Sequence, residues 1–159
     1  MGLDMYLSKK TYVKNWDHHD PSDRNEVTVI KGGNPHPTIK PERVSYIEEE
    51  IAYWRKFNAL HQRFVVRCQD GVDDCRESYV HESVIEHILA DLKTIKAAHE
   101  SGEMEEAQKL AQELLPSQPG FFFGGLEYDE WYFKNVYHTI EIFEELIKEG
   151  GDFYYRSSW

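Results

Sequence analysis

The chain is 159 residues long, 40% hydrophobic and 14% aromatic, enough to build a core without staples and too apolar for a disordered chain. Its formal charge of −11 argues against a general nucleic-acid binder, whose surface must neutralise phosphates. The charge is lopsided: residues 1–67 carry 11 Lys and Arg against 9 Asp and Glu, and residues 68–159 carry 7 against 20, so an anionic ligand is expected to favour the N-terminal half.

Leu3, Met5 and Leu7 alternate with polar positions, which predicts a strand over 3–13 with one buried face. A polar loop follows over 15–25. A short strand over 27–30 then closes on the turn cluster Gly32-Gly33-Asn34-Pro35, and the two strands are expected to pair. Pro41 suits the first position of a helix, and the apolar residues after it recur in a wide helical arc, so a long central helix is predicted over 41–67, with Gly71 as its left-handed cap. Residues 77–81 read as a brief strand. Ser83 with Glu86 forms a capping-box pattern that opens a helix through Ile85, Ile88, Leu89, Leu92 and Ile95; Ser101-Gly102 breaks it, and 103–115 is a short acidic helix. Phe121, Phe122 and Phe123 lie between glycines in a loop, a last helix covers 128–148, and 152–159 alternates as a closing strand. Strands at both ends with helices between them predict an α+β fold in one domain over 1–159. In it a small mixed sheet of the N- and C-terminal strands packs against a layer of about four helices.

Two cysteines, Cys68 and Cys75, are too few for a disulfide framework or a structural zinc site and read as reduced thiols. No apolar run reaches the roughly 18 residues that span a membrane, and the N-terminus lacks a signal-peptide core, so a cytoplasmic protein with no membrane partner is expected.

The pattern Trp-x3-Asn-x2-His occurs twice, at Trp54, Asn58 and His61 and again at Trp131, Asn135 and His138. On a helix each trio shares one stripe, and the first lies among apolar residues, where an amide and an imidazole must be hydrogen-bonded. One reading makes them a satisfied polar cluster that fixes the helix. Another makes them a pocket wall: Trp54 and Trp131 stack on a ring with Tyr128 nearby, Asn58 and His61 read its edge, and Arg55 or Arg156 meets phosphate. His61 acts as a general base only with a carboxylate that the sequence does not single out, and no other catalytic residue is assigned. Asp70, Asp73 and Asp74 lack the alternate spacing of a calcium loop, and the adjacent His18 and His19 point apart, so neither metal nor cofactor is expected. Neither glycine cluster has phosphate-loop spacing. Cys75 beside Asp73 and Asp74 sits in a field that disfavours a nucleophilic thiolate.

Gly2-Leu3-Asp4-Met5-Tyr6-Leu7, Tyr53-Trp54-Arg55-Lys56 with Asn58 and His61, Gln69-Asp70-Gly71-Val72-Asp73-Asp74-Cys75, Phe121-Phe122-Phe123-Gly124 with Glu127-Tyr128-Asp129, and Asp152-Phe153-Tyr154-Tyr155 run nearly the length of the chain. Together they resemble a functionally uncharacterised family of small proteins from phages and prophage-bearing bacteria. The resemblance implies an accessory role in a bacterial host cell and no particular chemistry. The expectation is a binder that sequesters a small nucleotide-derived ligand such as a host defence signal. The alternatives are a nucleotide hydrolase using His61 and an acidic inhibitor of a host protein. The partner expected is a small molecule, not nucleic acid, with a homo-oligomer left open.

Overall fold

A computed structural model describes residues 2–159. The elements are β1 (Asp4–Tyr12), β2 (Ile30–Lys31), β3 (Asn34–Pro35), β4 (Tyr46–Arg55), α1 (Asn58–Cys68), β5 (Ser78–Val80), α2 (Glu82–Glu100), α3 (Met104–Leu114), α4 (Glu130–Glu149) and β6 (Asp152–Ser158). The fold is α+β. Four strands form one sheet in the order β4-β1-β6-β5, and β2 pairs with β3 in a small second sheet.

The N- and C-terminal strands are neighbours: Leu3 just before β1, Met5 and Leu7 of β1, and Phe153 and Tyr155 of β6 are all buried in the core. Where a mixed sheet is expected, the four-stranded sheet is antiparallel throughout. The helical layer on its inner face is built around α2, which packs on both α3 and α4 and buries Ile85, Ile88, Leu89, Leu92 and Ile95. The other face is open and carries aromatic side chains, with Tyr6 against Tyr53, Tyr79 against Tyr154, and the Arg156 guanidinium 4.5 Å above the Tyr6 ring.

The long helix predicted over 41–67 is two elements. Pro41 does begin a helical turn, but it is a single 3-10 turn, closed by the Val44 N–H on the Pro41 carbonyl at 3.0 Å. Tyr46, Ile47, Ile51, Tyr53 and Trp54 are β-branched or aromatic, and they extend as β4. The wide apolar arc is the signature of a strand with apolar residues on both faces, since Ile51 and Tyr53 alternate with Ala52 and Trp54. Lys56, at φ 58°, takes the left-handed turn that ends the strand, and α1 begins two residues later. Past its end, the Gly71 N–H, at φ 75°, reaches the Val65 carbonyl at 3.0 Å.

The pairing expected between 3–13 and 27–30 does not form. Gly32 and Gly33 both have positive φ, which suits a two-residue hairpin, so Ile30 pairs with Pro35 and Lys31 with Asn34 across that turn. The cap of α2 also differs: His81, not Ser83, precedes the helix, and its Nδ1 accepts the Ser83 N–H at 3.2 Å. Asp129 caps α4 by accepting the Tyr132 N–H at 3.0 Å.

The chain forms two compact units, Lys10–Glu49 and the remainder. The remainder holds the helices and the core described above. In the smaller unit Val13 alone is buried, and Tyr12 and Tyr46 meet in a T-shaped contact at 5.0 Å.

Candidate functional site

Trp54, Asn58 and His61 are all buried, but on β4 and α1 respectively, so no single helix stripe holds them. Each is engaged in a different direction. Trp54 leaves the inner face of the sheet, packs on Phe64 and Phe143, and its Nε1–H donates to the Thr139 hydroxyl of α4 at 2.9 Å. Thr139 passes its own proton to the Asn135 carbonyl at 2.7 Å.

Asn58, at the first turn of α1, holds the loop between α3 and α4. Its amide donates to the Phe123 and Gly125 carbonyls at 3.2 and 2.9 Å, and its Oδ1 accepts the Gln118 N–H at 2.9 Å. The loop lies close beneath: a Cβ on Gly124, at φ 99°, would stand 3.0 Å from the Lys56 Cβ, so only glycine fits there. Phe123 is pulled inward, whereas Phe121 is left 79% exposed at the loop tip.

His61 joins two residues far apart in sequence. Its Nε2 is 2.9 Å from Asp73 Oδ2 and its Nδ1 is 2.7 Å from the Tyr155 hydroxyl. With the Asp73 carboxylate accepting from Nε2–H, the ring's other nitrogen, Nδ1, is left to face the Tyr155 hydroxyl as its acceptor. Asp73 Oδ1 accepts the Trp159 indole N–H at 3.1 Å, and Phe123 stands edge-on to the imidazole at 5.2 Å. Burial, with the Asp73 charge second, holds the Tyr155 phenol well above its usual range. The chain Tyr155–His61–Asp73 has the donor order of a general-base dyad, yet its imidazole is 0% exposed and its tyrosine stays a neutral donor. It is a closed strut tying α1, the 69–77 loop and β6 together.

The second Trp-Asn-His copy is not a structural repeat of the first, because all of it lies on α4 and largely outside the core. The Asn135 amide donates within the helix to the Trp131 carbonyl at 2.8 Å, and His138 is exposed. Trp131 meets Phe57 in a T-shaped contact at 6.3 Å and is 43% exposed. Two grooves open beside it. One, of about 540 Å³, is lined by His99, Trp131, Phe133, Lys134 and Tyr137, with Glu130 at its end. The other, of about 510 Å³, shares Trp131, Lys134 and Tyr137 and adds Asn135, His138 and Glu141. His99 stacks on Phe133 at 4.1 Å and its Nδ1 is 2.9 Å from the Tyr137 hydroxyl, which fixes the groove wall. The Lys96 ammonium lies 5.0 Å over the Tyr137 ring.

No family model, curated protein or solved structure matches this chain.

Of the predicted site residues, then, only Trp131 borders these grooves. Tyr128 is half-buried against Tyr132, and its hydroxyl accepts the Ser117 N–H at 3.1 Å. Arg55 stands exposed at the end of β4, and Arg156 lies on the open face of the sheet. The acidic run is used by its own loop, because Asp70 and Asp74 face Arg76 while Asp73 serves His61 and Trp159. Burial pushes the Cys68 thiol up to about 11. Asp73, Thr139 and Tyr155, the partners that give the first trio its meaning, are invisible to spacing rules because they lie 12 to 94 positions away. His99 and Tyr137 carry no motif, and a sequence signal for them exists only in the aromatic density of α4.

Proposed function

We propose that the protein is a non-catalytic phage or prophage accessory protein that holds a small nucleotide-derived ligand, and that the ligand sits in the α4 groove and not against Trp54, Asn58 and His61. The observation that carries the reading is Trp131, a large ring left 43% exposed in a groove whose other walls are Phe133, Tyr137 and the His99 imidazole. Such a wall suits a flat heteroaromatic ring, and a volume near 540 Å³ lies in the range of small-molecule sites. Lys134 is common to both grooves and offers an ammonium to phosphate, as Arg55 and Arg156 do not from β4 and β6, so this reading puts the anion in the acidic half of the chain, against the expectation from charge balance alone. The resemblance to phage and prophage proteins supplies the accessory context, and sequestration of a host signal is the role that fits a binder without an exposed nucleophile.

The test is calorimetric titration with a panel of linear and cyclic nucleotides, followed by analysis of what is released on denaturation. Trp131→Ala should weaken capture about 5- to 150-fold, the equivalent of a lost base–aromatic stack of roughly 1–3 kcal/mol. The ligand should be recovered intact. Binding unchanged in Trp131→Ala, or a converted ligand, would falsify the proposal.

A further inference from the structure

Glu130, Lys134, Tyr137 and Glu141 follow one another at intervals of four, three and four residues, so they form a single stripe along α4. Trp131, Lys134 and Tyr137 line both grooves beside that stripe, and each groove holds a carboxylate of its own, Glu130 in the first and Glu141 in the second. At roughly 1.5 Å per residue the two glutamates stand about 16 Å apart along the helix, with Lys134 between them. Among the described residues none of these three charged groups enters an ion pair, whereas other lysines nearby do: Lys93 meets Glu144 at 2.8 Å and Lys96 meets Glu100 at 3.6 Å. The stripe therefore offers a free acceptor, a free cation and a second free acceptor, in that order, with Trp131 and Tyr137 as wall to both halves.

That order fits a molecule anionic at its centre, flat at both ends and rich in hydrogen-bond donors at the two tips. A single nucleotide meets Lys134 and one carboxylate and leaves the other groove empty. Two nucleotides joined by a phosphodiester put one base in each groove and the bridging phosphate on the shared lysine. A carboxylate can only accept, and of the common bases guanine alone sets two donors side by side on its edge, N1–H and the 2-amino group, with no acceptor between them. Resting on the nucleotide-binding reading of these grooves, we infer that the ligand is a dinucleotide of guanine. Glu130 and Glu141 each take one base edge, Trp131 and Tyr137 flank the rings, and Lys134 holds the phosphate.

Calorimetry of the full chain with guanylyl-(3′→5′)-guanosine, its adenine counterpart and guanosine monophosphate tests this. The guanine dinucleotide should bind one per chain and about tenfold or more tighter than the mononucleotide, because its second base docks as an intramolecular event. The adenine dinucleotide should bind about tenfold or more weaker. Glu130→Gln and Glu141→Gln, made singly, each spoil one paired contact to a base edge and should weaken the guanine dinucleotide about 5- to 150-fold. Both glutamates are exposed, so thermal melts of the two variants should match the wild type and show that they are folded. A guanine dinucleotide no tighter than the mononucleotide, equal binding of the adenine form, or indifference to either glutamine variant overturns the inference. If the mononucleotide still binds and needs Trp131 in those cases, the groove reading stands without it. Binding of neither guanine compound, or binding indifferent to Trp131→Ala, overturns both.

Discussion

Asn58→Ala isolates what one buried amide contributes. The side chain makes three hydrogen bonds to the loop between α3 and α4, two given and one received. The Phe123 carbonyl is buried and loses its partner outright, at about 1–3 kcal/mol, while Gln118 and Gly125 are partly open and water recovers some of the loss, leaving about 0.5–1.5 kcal/mol each. The expected destabilisation is about 2–6 kcal/mol, a large part of the roughly 5–15 kcal/mol that holds a domain together. Urea titration with tryptophan fluorescence measures it, and hydrogen exchange at the Gln118 amide localises it, because that N–H should lose protection far below the global unfolding free energy. Asn58→Asp is the sharper control. It keeps the acceptor for Gln118 but sets a second oxygen against two carbonyls, so it should be no better than alanine at neutral pH and recover as acid protonates the carboxyl. Stability within about 0.5 kcal/mol of wild type in Asn58→Ala, with Gln118 protection intact, would refute the reasoning.

Three further outcomes follow from the same geometry. His61→Ala should cost about 3–5 kcal/mol, since it strands the buried Tyr155 hydroxyl and opens a void, whereas Asp73→Asn, at a partly exposed partner, should cost about 1 kcal/mol; equal losses in urea melts would mean the strut is not built as described. Deleting residues 152–159 should leave no cooperative transition, because β6 is an interior strand that buries Phe153 and Tyr155, and a truncated chain with an unchanged melting temperature would contradict the strand order. Burial raises the Cys68 thiol to about 11 from 9.0, and it also raises the Tyr132 and Tyr155 phenols. All three groups hold their protons more tightly when folded, so the Cys68 contribution is complete below pH 9 and is lost as pH rises through 11, and the two phenols act in the same direction from a starting value of 10.0. Guanidine midpoints that climb across that window would reverse the sign and disprove the burial argument.

The sequence alone determined the α+β class, the helices from α2 to α4 to within two or three residues, and the joining of the two terminal strands in one sheet. Those features are local: a period of two or of 3.6, a glycine break, a cap. What spacing could not decide was 41–67, because a strand with apolar residues on both faces and a helix with a wide apolar arc share one pattern, and only packing of Trp54 between Phe64, Phe143 and Thr139 selects the strand. The same holds for the candidate site. That Asn58 and His61 are buried and satisfied is legible from their apolar neighbours. That Asn58 clamps a loop 60 to 67 residues on, and that His61 ends on Tyr155 and Asp73, is tertiary. A hydrogen-bond donor carries no mark in sequence of which acceptor it will meet; the fold brings them within 3 Å, and burial then makes the meeting obligatory.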